Sequence, residues 1–135
     1  MAGATMTQAG RFAAIGAIGF VFDGGILTVL DSVYGINLFY ARLVSFSVAV
    51  TVTWYLNRHL TFVGGARNRP GREWGRYAVV QSIGALLNMG IFFWLIIAFE
   101  ALAEWPVIPL AFAASIALIF NFFGSRHIAF RHGRS

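Results

Sequence analysis

Residues 11–26 read RFAAIGAIGFVFDGGI, and residues 76–91 read RYAVVQSIGALLNMGI. The second stretch rewrites the first at an offset of 65: Arg11 falls on Arg76, Phe12 on Tyr77, Gly19 on Gly84, Asp23 on Asn88 and Gly25 on Gly90. On a helix, residues three and four apart lie one above the other. Phe12, Gly16, Gly19, Asp23 and Ile26 therefore share one face, as do Tyr77, Gln81, Gly84, Asn88 and Ile91. Each stretch is a small-and-polar stripe on an otherwise apolar helix, and the sequence that follows supplies each with a partner.

Composition says where such helices reside. Of 135 residues, 59% are hydrophobic and 11% charged, with a mean hydropathy of +0.73. A soluble domain carries about 25% charged residues, so this chain lacks the polar surface to face water. Four apolar segments, 12–30, 40–60, 77–99 and 107–123, each approach the roughly 20 helical residues that cross a bilayer core of about 30 Å. The alternating strands of a membrane β-barrel are absent. The expected fold is an all-α integral membrane protein with four transmembrane helices in a single domain over 1–135. The first ten residues, MAGATMTQAG, have no cationic region and no persuasive cleavage site follows, so the first helix reads as retained. With no cysteine, disulfide, iron–sulfur and thiolate–zinc chemistry are excluded.

The partner helices repeat as well. Arg58-His59-Leu60-Thr61-Phe62 returns as Arg126-His127-Ile128-Ala129-Phe130 at an offset of 68, which places Thr53 on Asn121 and three extra residues in the second outer connection. Repeat 1 then covers about 11–62, a polar loop about 63–75, and repeat 2 about 76–130. The chain has ten arginines and no lysine. Arg11, Arg58, Arg67, Arg69, Arg72, Arg76, Arg126, Arg131 and Arg134 fall on the side of the termini and the middle loop. The opposite connections hold Asp31, Glu100 and Glu104. Positive loops stay in the cytoplasm, so both termini and the middle loop are expected there. The two hairpins then run as parallel repeats about an axis along the membrane normal. In this setting the net charge of +5 suits loop topology and anionic lipids, and nucleic acid is not an expected partner.

No Ser/His/Asp set, paired carboxylates or phosphate-cradling loop appears, and His59, His127 and His132 are dispersed at helix ends. The chain reads as a non-enzyme with no cofactor and no metal. Two charges fall inside apolar segments, Asp23 in the first helix and Arg42 in the second, at similar depth below the outer side. A lone charge in hydrocarbon costs a few kcal/mol. In the second repeat Asp23 becomes Asn88 and Arg42 becomes Leu110, so both charges vanish together, as a pair would. The pair is either a structural salt bridge or a working site, in which Arg42 meets an anionic headgroup or Asp23 titrates during transport. Small and polar residues on the helix faces, Gly16, Gly19, Ser45, Thr53, Gln81, Gly84, Asn88 and Asn121, read either as helix packing or as a polar seam between the repeats. Arg58-His59 and Arg126-His127 read either as interface anchors or as phosphate ligands, which the guanidinium fork suits.

The order RFxxxGxxGFxxD at the start of helix 1, Ala41-Arg42-Leu43 with Ser45-Phe46 at the start of helix 2, and Asn57-Arg58-His59-Leu60-Thr61-Phe62 at its end resembles the GtrA-like family over about 11–130. The second copy departs from that pattern with Ser125 where an asparagine would precede Arg126. The resemblance implies a small four-span protein of the bacterial inner membrane that serves cell-surface polysaccharide synthesis. Its cargo would be a polyprenyl-phosphate-linked sugar, flipped between leaflets, with Arg42, Arg58, Arg126 and Asn57 as lipid-phosphate ligands. The alternative is a non-transporting accessory subunit that anchors a membrane glycosyltransferase. A proton-coupled exporter using Asp23 is a third reading, against which the neighbouring Arg42 argues. Four short helices enclose little space, which suits a homodimer.

Overall fold

The computed structural model describes residues 2–63, 69–105 and 107–130. Arg67, Arg131 and Arg134, counted above with the arginine-rich side, and His132, read above as lying at a helix end, lie outside them. Every regular element among the described residues is helical. Helix α1 (Ala2–Thr28) runs on into a π-helical turn at Val29–Val33. Gly35 then takes a positive φ of 64°, a backbone state that suits a residue without a Cβ. Asn37 caps helix α2 (Leu38–Leu56) by accepting from the Phe39 N–H at 2.9 Å, satisfying one of the donors a helix start leaves open. A second π-helical turn, Asn57–Thr61, closes α2. Helix α3 spans Pro70–Ala98, a 3-10 turn covers Glu100–Glu104, and helix α4 (Val107–Gly124) ends in a third π-helical turn at Ser125–Ala129.

All four apolar segments are helices long and apolar enough to cross a membrane. Two of them begin earlier than their hydropathy suggests. The spans Thr5–Val33 and Pro70–Ala98 each have 29 residues, which at about 1.5 Å per residue outrun a hydrocarbon core of about 30 Å. In α1 the extension before Arg11 is uncharged and mostly small residues, and Thr7 Oγ1 donates back to the Gly3 carbonyl at 2.9 Å. In α3 it starts with Pro70 in the first turn, where the missing N–H costs nothing, and Glu73 complements the positive helix start. The loop read as 63–75 therefore gives 70–75 to α3.

The chain divides into two compact units, Met1–Ala66 and Arg67–Ser135, each an antiparallel helical hairpin. In the first, the Phe12 and Phe62 rings meet edge-to-face at 6.2 Å, and Gly19 lies so close to Thr53 that a Cβ there would overlap its Cγ2. In the second, Tyr77 and Phe130 meet edge-to-face at 5.7 Å, and a Cβ on Gly84 would overlap the Asn121 amide. Such ring pairs contribute about 0.5–1.5 kcal/mol beyond their burial. Ala41, Ser45 and Ala49 are buried along α2, as Pro109, Ala113 and Ala117 are along α4. Much of the remaining surface is apolar and open: Phe20 is 78% exposed and Ile97 79%. In water that would drive aggregation, whereas in a bilayer it is the face that lipid covers.

Candidate functional site

The charged centre of the first hairpin joins α1 to α2. Arg42 Nη1 donates to Asp23 Oδ2 at 2.6 Å, the short distance of a charge-assisted bond. Sequence alone placed the two at similar depth, but α1 continues through its π-helical turn to Val33, so Asp23 is the deeper of the two. Arg42 sits one turn into α2, and its side chain must reach inward along the hairpin. The partners differ in cover: the Arg42 side chain is 52% exposed and that of Asp23 16%. Asp23 Oδ1 is buried and has no hydrogen-bond partner. Chemically the centre is a neutral ion pair with one inward-facing acceptor and an outward-facing part of the guanidinium fork. In the second hairpin Asn88 is half-buried and Leu110 is exposed.

The other charged centre of each hairpin is the π-helical turn that ends it. A π turn carries an extra residue per turn and is a local departure often found at functional sites. Here the i→i+5 bonds are Phe62 N–H to Asn57 O and Phe130 N–H to Ser125 O, both 2.8 Å. In the first hairpin the Arg58 guanidinium sits 5.7 Å from the Trp54 ring centroid, within cation–π reach, and His59 lies against Tyr55 at 4.4 Å. In the second, His127 stacks parallel to Phe123 at 6.2 Å. Arg58 and Arg126 are half-buried, whereas His59 and His127 are exposed.

Asn57, expected above as a lipid-phosphate ligand, is only 1% exposed, and its Oδ1 accepts from Thr61 Oγ1 at 2.8 Å. It faces into the turn and holds it, and is not presented to a headgroup. The second hairpin has Ser125 and Ala129 at these places, and there Gln81 Nε2 approaches Ser125 Oγ across the helices at 3.5 Å. The departure from asparagine thus removes one turn-holding pair and comes with a long contact from α3.

The small and polar residues divide by position. Gly19, Ser45, Thr53 and Gly84 are buried at helix contacts inside their own hairpins. Ser45 Oγ bonds the Arg42 carbonyl at 3.1 Å and Thr53 Oγ1 bonds the Ala49 carbonyl at 2.9 Å, so these hydroxyls are satisfied by their own helix. Asn121 Oδ1 is buried without a partner. Gly16 is exposed, and a Cβ there would meet nothing within 4 Å. It is not a packing residue: the contact runs instead through Phe12, Ile15 and Gly19, which are buried.

Two polar residues at the arginine-rich end were not legible as site residues. Glu73, read above as part of the loop, is 4% exposed in the first turn of α3. Gln8 lies 65 positions earlier and buries its Oε1 with no partner. Carrying the offset back beyond Arg11 pairs the two, and that extension is the signal that would have found them.

Among known proteins, the family model described as the GtrA/DPMS transmembrane domain matches residues 11–130. No curated protein and no solved structure matches the chain.

Proposed function

Because the chain belongs to the GtrA/DPMS transmembrane-domain family, we propose that it translocates polyprenyl-phosphate-linked sugars between leaflets for cell-surface polysaccharide synthesis. The observation that carries the reading is the family match, which takes in both hairpins and leaves out only short termini. It is the reading of a multi-pass membrane protein, placed in the bacterial inner membrane with both termini in the cytoplasm. The two hairpins act as parallel repeats, each bringing an Arg-His pair to the cytoplasmic side: Arg58-His59 and Arg126-His127. Arginine binds phosphate through a planar fork and keeps its charge at any physiological pH, so these ends suit a phosphorylated headgroup while the prenyl tail stays in lipid. The Asp23–Arg42 centre then lies on the outward part of the same path. The chain moves its cargo and carries out no bond chemistry on it.

The test is reconstitution of the purified chain into liposomes with a fluorescent short-chain prenyl-phosphate sugar, followed by a membrane-impermeant quencher. Chain-dependent movement of the probe from the protected to the quenchable leaflet is expected. Binding without movement favours the accessory reading, in which the chain presents the lipid to a membrane glycosyltransferase. One observation speaks for that alternative: the spans that contain α1 and α3 are longer than the hydrocarbon core of a bilayer is thick, which leaves helical surface at headgroup level for a partner enzyme.

A further inference from the structure

The first hairpin carries a groove of about 530 Å³ lined by Arg11, Ala14, Ile15, Ile18, His59, Leu60 and Val63. Its size falls within the roughly 300–1,000 Å³ of small-molecule sites. One wall is a single face of α1, since Arg11, Ala14, Ile15 and Ile18 follow helical spacing. The other wall is the π-helical turn that ends α2 and the residues just past it.

Arg11 and His59 are the two polar residues that line the groove. Arg11 Nη1 donates to the Leu60 carbonyl at 3.1 Å. That carbonyl belongs to the last turn of a helix, where acceptors lack partners within the helix, so the bond holds the guanidinium at the mouth and leaves the rest of its donor fork available. The exposed His59 ring, held against Tyr55, lines the same space. From Arg11 inward the α1 wall continues as Ala14, Ile15 and Ile18 toward the middle of the span Thr5–Val33, while Leu60 and Val63, both more than half exposed, add apolar surface beside Arg11 at the mouth.

From this geometry we infer that the groove is a binding site for a single-chain lipid phosphate, with its phosphate between Arg11 and His59 and the first part of its chain along Ile15 and Ile18. The inference deepens the proposed function and rests on it for the choice of lipid. A free anion would use the cationic mouth and leave the apolar walls uncovered. An apolar helix from another protein would fill the walls and bury the Arg11 guanidinium without a counter-charge, which is strongly unfavourable. Only an amphiphile with an anionic end and a hydrocarbon body satisfies both. Hydrogen bonds to charged groups are the strong ones, so the phosphate supplies much of the affinity and the chain sets the direction of entry from the bilayer. The site is made by residues of the first hairpin alone, and does not include Arg58, which lies against Trp54.

The test uses the full chain in zwitterionic nanodiscs, with binding of a polyprenyl phosphate compared with the unphosphorylated polyprenol, inorganic phosphate and an anionic two-chain phospholipid. The wild type is expected to bind the phosphate about tenfold or more tightly than the alcohol. Arg11→Gln with His59→Gln should bring the two lipids to similar affinity. Ile18→Trp, which fills the groove and keeps Arg11 and His59, should weaken both lipids; if the double variant does not fold, this variant decides. No preference for the phosphate in the wild type would overturn both the groove and the lipid-phosphate reading. A clear preference that survives both the Arg11/His59 change and the groove-filling change would overturn the groove alone. Equal displacement by inorganic phosphate, or by the two-chain phospholipid, would also overturn it, since the occupant would then be a free anion or bulk lipid.

Discussion

Breaking the Asp23–Arg42 pair one side at a time should give unequal losses, and breaking both should give back much of each. The variants follow what the second hairpin already carries: Asp23→Asn copies Asn88, and Arg42→Leu copies Leu110. Arg42→Leu strands a carboxylate that is 16% exposed, with one oxygen already buried and unpartnered. An isolated charge at the centre of a membrane helix costs about 2.5–3.5 kcal/mol on insertion scales. Asp23 lies off-centre, so a loss of about 2 kcal/mol is expected. Asp23→Asn strands a guanidinium that is 52% exposed and one turn from the end of its helix. That side chain can swing to the interface, and the loss should be about 1 kcal/mol. Polar pairs inside membrane proteins average about 0.6 kcal/mol and reach about 1.7. A charge-assisted bond of 2.6 Å belongs at the upper end, so the coupling in a double-mutant cycle should be about 1–2 kcal/mol. The assay is unfolding in mixed micelles by titration with a denaturing detergent, with all four species measured together. Losses that add to within about 0.5 kcal/mol, the ordinary tolerance for independent sites, would show that the contact contributes nothing to stability. The double variant then reports function separately: if it is stable and supports lipid movement the pair is structural, and if it is stable and inactive one of the charges meets the cargo.

Reporters inserted near Arg69 and fused after Ser135 should read as cytoplasmic and one near Glu104 as external; an external reading at Arg69 would sink the proposed orientation. Gly19→Ala should destabilise by about 1–3 kcal/mol, because the Thr53 methyl it meets cannot turn away without losing the bond from Oγ1 to the Ala49 carbonyl. Gly84→Ala should cost less, since the Asn121 amide it meets is the end of a rotatable side chain. Gly16→Ala, facing open space, should be neutral or stabilising by up to about 1 kcal/mol. Thermal melts of the three in detergent test that order, and an equal loss at Gly16 would contradict it. Arg58→Gln with Arg126→Gln should lower lipid movement per inserted protein beyond its effect on melting; unchanged movement with faulty insertion would leave these arginines as anchors.

Some of this protein is a one-dimensional property of its chain. The number of spans follows from the length of each apolar run against the thickness of a bilayer, and no tertiary contact is needed to count them. The partnership of Asp23 and Arg42 was legible for a related reason: hydrocarbon penalises a lone charge so heavily that a cation and an anion appearing together, and absent together at Asn88 and Leu110, indicate each other. The register of contacts was not legible. Gly16 and Gly19 look alike in the sequence, yet Gly19 meets Thr53 and Gly16 meets nothing, because which of two neighbouring stripe positions touches a partner depends on how the helices cross. Asn57 looks like a headgroup ligand beside Arg58 until the π-helical turn rotates it inward onto Thr61. Arg11 looks like one interface charge among many until the end of α2 comes back across residues far apart in sequence and places the Leu60 carbonyl 3.1 Å from it. Hydropathy is summed along the chain, whereas a groove exists only where two distant segments fail to fill the space between them, and only folding puts them side by side.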